Sequence, residues 1–159
     1  MTTIQPFSIL DTLEYSPINL DILTETFSTG FYGKYIANWP DYCITMISCA
    51  GGMLAYLIGK VEGDRFDEGK KNWHGHVSAV TVAPRSRKQG IARYLMEYLE
   101  EVSEKKYNAW YVDLFVRSKN AIAIQMYRKL GYDVYQTVTK YYSKTERDPA
   151  EDAFGMRYI

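Results

Sequence analysis

The sequence lacks the features that mark several special classes of protein, beginning with cysteine. Only Cys43 and Cys49 are present among 159 residues, and they lie in one strand-like run, too distant to bridge each other. This excludes a disulfide framework and indicates a reducing, intracellular compartment. The cysteines and the two histidines, His74 and His76, do not have the spacing of a closed zinc site, so we predict no bound metal.

Net charge and long apolar runs are lacking as well. The 19 Lys and Arg residues balance the 19 Asp and Glu residues, so no global field attracts nucleic acid, and any phosphate must be recognised locally. No apolar run approaches the roughly 20 residues of a membrane span. The N-terminus also lacks the charged region and apolar core of a signal peptide. We therefore expect a cytoplasmic protein that binds neither nucleic acid nor a membrane directly.

The composition and pattern that are present are typical of one mixed domain. Hydrophobic residues make up 47% of the chain, enough for a core without disulfides or metal. Periodicity predicts strands at 7–10, 42–49, 53–61, 74–82, 110–116 and 132–142, and helices at 20–25, 34–39, 90–106 and 120–130. This order predicts an α/β fold over residues 1–159. Its single mixed, mostly antiparallel sheet is flanked by helices, and a polar C-terminal tail begins at about residue 144.

Two of these elements predict which side chains share a face. Strict alternation in strand 74–82 places four residues on one face: His76, Ser78, Val80 and Val82. Helical periodicity in 120–130, where Asn120 is the expected cap, predicts a buried stripe of Ile122, Met126 and Leu130.

The most informative stretch runs from an apolar strand through Pro84 and a basic turn into a helix that begins near Gly90. Arg85, Arg87 and Lys88 add positive charge where free backbone N–H groups and the positive end of the helix dipole lie. The pattern predicts a phosphate or pyrophosphate site. The alternative is a solvated basic turn that only caps the helix. The stretch is neither a P-loop nor the dinucleotide-binding fingerprint, because it lacks the required glycines and the Gly-Lys-Ser/Thr sequence.

Two segments resemble the signature motifs of the GNAT acetyltransferases. The first is Arg87-Lys88-Gln89-Gly90-Ile91-Ala92, which resembles the R/Q-x-x-G-x-G/A motif that grips the pyrophosphate of acetyl-CoA. The second covers residues 120–132 and resembles Asn-x-x-A-x-x-x-Y-x-x-x-G-F/Y. The order of the elements also matches over essentially the whole chain. The resemblance implies the GNAT fold and acetyl-CoA as cosubstrate.

Further segments are similar to the catalytic subunits of the N-terminal acetyltransferases called NatB. These segments are 21–26, 39–40, 73–77, 112–117 and 141–143. The resemblance implies acetylation of the α-amine of nascent chains that begin Met-Asp, Met-Glu, Met-Asn or Met-Gln. It also implies an auxiliary helical-repeat subunit that docks on the ribosome. An excess of apolar residues in 16–40 is typical of such an interface.

The resemblance implies which residues act on acetyl-CoA, the acetyl donor. The backbone of Val80 and Val82 and the turn from Arg87 to Ala92 would hold the cofactor. Asn120 has a structural role as helix cap, and a contact to cofactor or peptide is a second possibility. Tyr127 is the candidate general acid, because a phenol with a pKa of about 10 can donate to a departing thiolate. Packing in the helix core is the alternative role for Tyr127.

The roles of the residues that would contact the peptide, the acetyl acceptor, are less completely assigned. His76 and Glu25 are candidate bases, although an N-terminal amine with a pKa near 8 needs only a weak base or a held water. The resemblance favours His76 and Ser78 as readers of the second residue, and it places Glu25 over the amine. Phe27 would line the pocket for the first methionine. Tyr141 and Tyr142 would close the groove, with only one of them facing the side of Tyr127.

Two other functions remain open on these residues. One is acetylation of a small-molecule amine or of another N-terminus, and the other is a non-catalytic module that binds acetyl-CoA. The tyrosines and the 62–73 loop favour an open peptide groove over a closed pocket. The intact turn and Tyr127 favour catalysis over binding alone.

Overall fold

The computed structural model describes residues 2–13, 28–142 and 151–159. Within these ranges, seven strands form one sheet: β1 (Thr2–Pro6), β2 (Cys43–Ser48), β3 (Met53–Glu62), β4 (His74–Val82), β5 (Tyr111–Arg117), β6 (Asp133–Tyr142) and β7 (Glu151–Tyr158). The helices are α1 (Thr29–Asn38), α2 (Ile91–Lys105) and α3 (Ala121–Lys129). None of these described helices is long and apolar enough to cross a lipid bilayer.

The sheet has the order β1-β2-β3-β4-β5-β7-β6. Neighbouring strands are antiparallel except for β4 and β5, which are parallel and are joined by the crossover through α2. The predicted α/β fold with a mixed, mostly antiparallel sheet is therefore confirmed.

Each face of the sheet has its own core. On the first face, α2 and α3 cover a cluster that includes Leu57, Leu95, Leu99 and Tyr127. On the opposite face, α1 buries Tyr32 and Tyr35 against Tyr56 and Ile58 of β3. We call these the α2 face and the α1 face.

A β-bulge in β4 changes which side chains share a face. The register passes from Ile58↔Ala79 to Gly59↔Val77, so Ser78 is an extra residue without an opposite partner on β3. Val80 and Val82 consequently lie on the α2 face with Val77, while Ala79 packs on the α1 face. The predicted alternation, with Val80 and Val82 beside His76, is wrong, because the bulge shifts the alternation by one residue.

Two predictions for the N-terminal part of the chain also differ from the structure. The segment 7–10 is not a strand, since β1 is Thr2–Pro6 and Phe7 begins the turn into a 3-10 helix, Ile9–Leu13. Helix α1 begins at Thr29, five residues before the predicted start at 34. The side chain of Ser28 accepts from the N–H of Phe31 and caps α1. The predicted helix at 20–25 lies outside the described residues.

The largest error concerns the expected polar tail. Residues Glu151–Tyr158 form β7, which lies between β5 and β6 and buries Ala153 and Met156. A smaller error concerns α3, where Ile122 is 82% exposed and Tyr127 is the buried residue. The Asn120 cap is confirmed, because its side chain accepts from the N–H of Ala123 at 3.2 Å.

Candidate active site

The basic turn leads from β4 into α2 and presents its backbone outward. Gly90 caps α2 in the left-handed conformation with φ +79, and Lys88 also has a positive φ of 61. A Cβ built at Gly90 would meet nothing within 4 Å. The first N–H groups of a 15-residue helix are therefore open to a ligand. Arg87 is tied back to the strand through Nε, which donates to the Val82 carbonyl at 3.2 Å.

Strands β4 and β5 part upstream of this turn. Their parallel pairing covers only four positions, from His74↔Tyr111 to Val77↔Leu114. Beyond that point β4 continues to Val82 with β3 as its partner on one side, and among the described strands it has no partner on the other. Peptide groups of β4 from Ser78 onward therefore face a gap between two central strands. Extended backbone at such a gap can pair with the amide groups of a ligand.

Tyr127 lies on the α2 face of the sheet. It is 7% exposed, and its ring lies 6.1 Å from that of Tyr132. Helix α3, which begins after the Asn120 cap, positions it from the loop that follows β5. Its burial is compatible with both roles that the sequence left open, packing and proton donation.

A cluster of ionisable side chains lies on the α1 face, across the end of the β4–β5 pairing. His76 Nδ1 is 2.7 Å from Asp113 Oδ1. The other oxygen of Asp113 accepts from the hydroxyl of Tyr135 at 2.9 Å. His74 Nε2 lies between two carboxylates, 3.4 Å from Asp113 Oδ1 and 3.3 Å from Glu62 Oε1, in a shared ion pair.

The carboxylates fix the charge of this cluster. Burial alone would lower the pKa of His74, but contacts with Asp113 and Glu62 outweigh burial and raise it to about 10. The contact with His74, supported by Lys60, lowers the pKa of Glu62 to about 2. Burial would raise the pKa of Asp113, yet both histidines hold it well below its usual range. At neutral pH His74 is therefore cationic and both acids are ionised.

These side chains also have the donor types of a zinc site. One ligand atom from each of Glu62, His74, His76 and Asp113 falls within a cluster in which all separations are 4.8 Å or less. Their charges nevertheless balance among themselves, since Glu62 and Asp113 face the cations of His74 and Lys60. We therefore interpret the cluster as an ion network and keep the prediction of no metal.

The stability that His74 contributes should depend on pH. Because its pKa rises from 6.5 in the unfolded chain to about 10, its contribution is fully present below pH 6.5 and is lost as the pH rises toward 10. Glu62, with a pKa lowered from 4.5 to about 2, contributes above pH 4.5 and loses this as the pH falls.

The measurement is the free energy of unfolding of the wild type and of His74→Gln across pH. The difference between them should be largest between about pH 4.5 and 6.5 and should shrink toward pH 10. A difference that stays constant above pH 6.5 would mean that His74 stabilises only by stacking on Tyr111, whose ring lies 4.6 Å away.

Two further predicted residues border this cluster. Ser78 donates through Oγ to the hydroxyl of Tyr35 on α1 at 2.7 Å. Tyr141 packs on Phe115 at 4.9 Å, and Phe115 in turn lies 5.5 Å from His76. His76, Ser78 and Tyr141 therefore line the α1 face together. Tyr141 faces away from the side of Tyr127.

Some predicted residues cannot be placed, and some residues were missed. Glu25 and Phe27 lie outside the described ranges, and of Tyr142 only the backbone in β6 is described. Sequence reasoning missed Asp113, which pairs with His76, and Tyr135, which donates to the other oxygen of Asp113. A signal for Asp113 was present, because a lone acid in an otherwise apolar strand such as Tyr111–Arg117 calls for a buried partner.

The arrangement separates two kinds of binding surface. The α2 face carries the basic turn and Tyr127, and the α1 face carries the His76 cluster. The gap where β4 and β5 part lies between the two faces. A molecule bound at the turn and another bound at the cluster would meet through this gap.

Comparisons with known proteins agree with the geometry. The model of the acetyltransferase (GNAT) family matches residues 13–132. The N-terminal acetyltransferase B complex catalytic subunit NAA20 of Arabidopsis thaliana is 49% identical, covering 99% of this chain and 84% of the plant protein. Naa20 of Chaetomium thermophilum, solved with a bisubstrate analogue, has a TM-score of 0.87 at 40% identity and covers 98% of this chain and 85% of that chain.

A third relative is the NatB acetyltransferase complex bound to CoA and MES, with a TM-score of 0.83 at 37% identity, covering 98% of this chain and 97% of that chain. The GNAT fold implied by the two sequence motifs is therefore confirmed. The chain belongs to the GNAT acetyltransferases and, among them, to the catalytic subunits of NatB, which are N-terminal acetyltransferases.

Proposed function

We propose that this enzyme moves the acetyl group of acetyl-CoA to the α-amine of nascent chains that begin Met-Asp, Met-Glu, Met-Asn or Met-Gln. The observation that carries this proposal is the gap between β4 and β5, with a basic turn on one face and an ionic cluster on the other. Its membership among NatB catalytic subunits supports the choice of substrate class.

The donor side fits a pyrophosphate-bearing cosubstrate. The turn from Arg87 through Lys88, Gln89, Gly90 and Ile91 to Ala92 offers helix N–H groups and positive charge. No atom of the described residues lies within 4 Å of a Cβ built at Gly90. The β4 backbone at Val80 and Val82 would pair with the pantetheine arm. Their side chains pack in the α2-face core, which agrees with a role for the backbone alone.

The acceptor side fits a polar second residue. His76 and Ser78 would lie against its acidic or amide side chain, and Tyr141 would border the groove. Glu25 and Phe27 belong to the same proposal from the family resemblance, as contacts to the amine and to the first methionine. In this proposal the peptide enters from the α1 face, where His76, Ser78 and Tyr141 lie.

The chemistry of transfer needs few groups from the protein. Acetyl-CoA supplies the acyl group as a thioester. Tyr127 would donate its phenolic proton to the departing sulfur from the α2 face. The amine approaches from the α1 face and needs little help to lose its proton, because a sizeable fraction is neutral at pH 7. We therefore assign His76 first to reading the substrate, with Glu25 or a water taking the proton.

A partner subunit belongs to the same proposal. The relative solved with CoA is a complex, and this chain presents apolar side chains where α1 meets the first 3-10 helix. Leu10 is 69% exposed and Ile9 is 43% exposed there. We infer that a helical-repeat auxiliary subunit covers this surface and brings the enzyme to the ribosome in the cytoplasm.

The decisive experiment measures acetyl transfer to a peptide panel, with and without the auxiliary subunit. Peptides with the four polar second residues should be acetylated at least tenfold more efficiently than a Met-Leu peptide, because an apolar side chain leaves the His76 cluster unpaired. They should also exceed a Ser-Glu peptide, because serine does not fill the proposed pocket for the first methionine. The subunit should raise this activity. Acetylation of free polyamines, but not of Met-Asp peptides, would replace this proposal with a small-molecule acetyltransferase. Binding of acetyl-CoA without any transfer would indicate a non-catalytic module.

A further inference from the structure

The position of the His76 ring bears on how the enzyme can accept both acids and amides as the second residue of its substrate. This inference rests on the proposed function. Among the described residues, the hydrogen bond that holds the His76 ring is made at Nδ1. Its Nδ1 lies 2.7 Å from Asp113 Oδ1, a carboxylate oxygen that accepts and cannot donate when ionised. Nδ1 must therefore carry a proton in both charge states of the ring.

Asp113 is itself held as an ionised acceptor from two further sides. Tyr135 donates its hydroxyl to the second oxygen at 2.9 Å, and the Nε2 edge of His74 lies 3.4 Å from the first. His74 cannot turn away, because its Nδ1 donates to the Asn72 carbonyl at 2.6 Å and its ring stacks on Tyr111. Asp113 is only 3% exposed, so water does not compete for these contacts.

We propose that Asp113 is a positioning residue that fixes the proton of His76 on Nδ1, so that Nε2 alone changes between donor and acceptor and reads the second residue of the substrate. In the imidazolium, Nε2–H donates to the carboxylate of Asp or Glu. In the neutral ring, Nε2 has a lone pair and accepts from the NH₂ group of Asn or Gln.

Charged neighbours on every adjoining strand bear on this proton. Glu62 on β3 approaches His76 Nδ1 to 3.7 Å, and Lys60 is the register partner of His76. From β7, Arg157 is the register partner of Asp113 and packs over the ring of Tyr135. Two phenols also border the cluster. Tyr35 accepts from Ser78, and Tyr141 packs on Phe115. None of these groups takes the Nδ1 position from Asp113, since the Glu62 contact is 1 Å longer.

The first test uses the wild-type enzyme with its auxiliary subunit. The ratio of kcat/KM for a Met-Asp peptide to that for the matched Met-Asn peptide is measured from pH 6 to pH 9. Titration of the amine and of catalytic groups cancels in this ratio, and neither second residue titrates in the range. The ratio should be at least about tenfold higher at the acid end of this range than at the alkaline end, because a protonated Nε2 donates to a carboxylate and an unprotonated Nε2 accepts from an amide. The Met-Glu and Met-Gln pair should behave alike. A ratio that is independent of pH overturns the proposal.

The second test compares Asp113→Asn with the matched control Tyr135→Phe. Asparagine can offer Nδ1 either a carbonyl or an N–H group, so the proton is no longer fixed and the anion is gone. At pH 7 the Met-Asp activity should fall roughly tenfold more than the Met-Asn activity, as expected for loss of a charge-assisted bond. Tyr135→Phe removes a bond to the other oxygen and keeps the carboxylate, so its ratio should stay within about twofold of wild type.

The outcomes separate the two proposals. If Asp113→Asn lowers both activities equally and leaves the ratio and its pH dependence unchanged, Asp113 is only structural. If the variant fails to fold, the wild-type pH profile decides the question by itself. If the wild type acetylates none of the four peptides, the proposed function fails before the reading mechanism is reached.

Discussion

Replacement of Tyr127 by Phe should lower turnover about 100-fold or more, while the KM for acetyl-CoA changes little. The reason is that only the hydroxyl is removed from a side chain whose ring packs in the α2-face core. The phenol would stabilise the transition state by giving the departing sulfur a proton, and it makes no contribution to holding the pyrophosphate. A loss in kcat with an unchanged KM is the signature of an interaction made only in the transition state.

The neighbouring Tyr132 provides the matched control. It lies 6.1 Å from Tyr127 ring to ring, is fully buried, and donates its hydroxyl to Glu100 at 2.8 Å. Tyr132→Phe should therefore lower the free energy of unfolding by about 1 kcal/mol, because Glu100 loses a partner, and leave turnover within about twofold. An unchanged turnover number in Tyr127→Phe would contradict its assignment as the general acid and leave it the packing role.

The strands that could be predicted from sequence are those whose own pattern determines them. Strand β4 spans His74–Val82, as predicted, because a run rich in valine is bounded by a polar loop and by Pro84. The cap at Asn120 and the turn at Gly90 were also predictable, since capping and left-handed backbone depend on local chemistry.

What could not be predicted depends on partners distant in the chain. The strand Glu151–Tyr158 contains charges and a glycine, and it is ordered because β5 and β6 flank it on both sides. The bulge at Ser78 exists only against β3. Helix α1 contains Gly30 and Gly33, which predict a break, but burial of Tyr32 and Tyr35 outweighs this local preference.

The proposed site likewise has one half that could be predicted from the sequence and one half that could not. Its proposed donor half consists of contiguous motifs, so residues 87–92 and Tyr127 could be assigned to it from the sequence. Its acceptor half is assembled from four strands, with Glu62, His76, Asp113 and Tyr135 each on a different one. Of these four, only His76 was assigned a role from the sequence, although Asp113 lies in the resembling segment 112–117. The residues that fix the proton of His76 become visible only when the sheet is built.

Replacement of Gly90 by Ala should raise the KM for acetyl-CoA roughly ten- to hundredfold, which corresponds to the loss of one or more bonds to a charged group. Gly90 has a φ of +79, where a Cβ costs about 1–2 kcal/mol. If the turn keeps this conformation, the new methyl group occupies the space over the helix N-terminus. If the turn relaxes, the N–H groups no longer converge on the pyrophosphate.

The variant Gly51→Ala is the control that distinguishes loss of cosubstrate binding from backbone strain alone. Gly51 lies in the β2–β3 hairpin with a φ of +91, and, like Gly90, a Cβ built there meets nothing within 4 Å. Gly51→Ala should therefore cost a similar free energy of unfolding and leave the KM for acetyl-CoA unchanged. The helix N-terminus holds the pyrophosphate only if the two variants match in stability and differ in KM. Equal KM values in the two variants would mean that Gly90 only permits the left-handed backbone conformation and that the cosubstrate is held elsewhere.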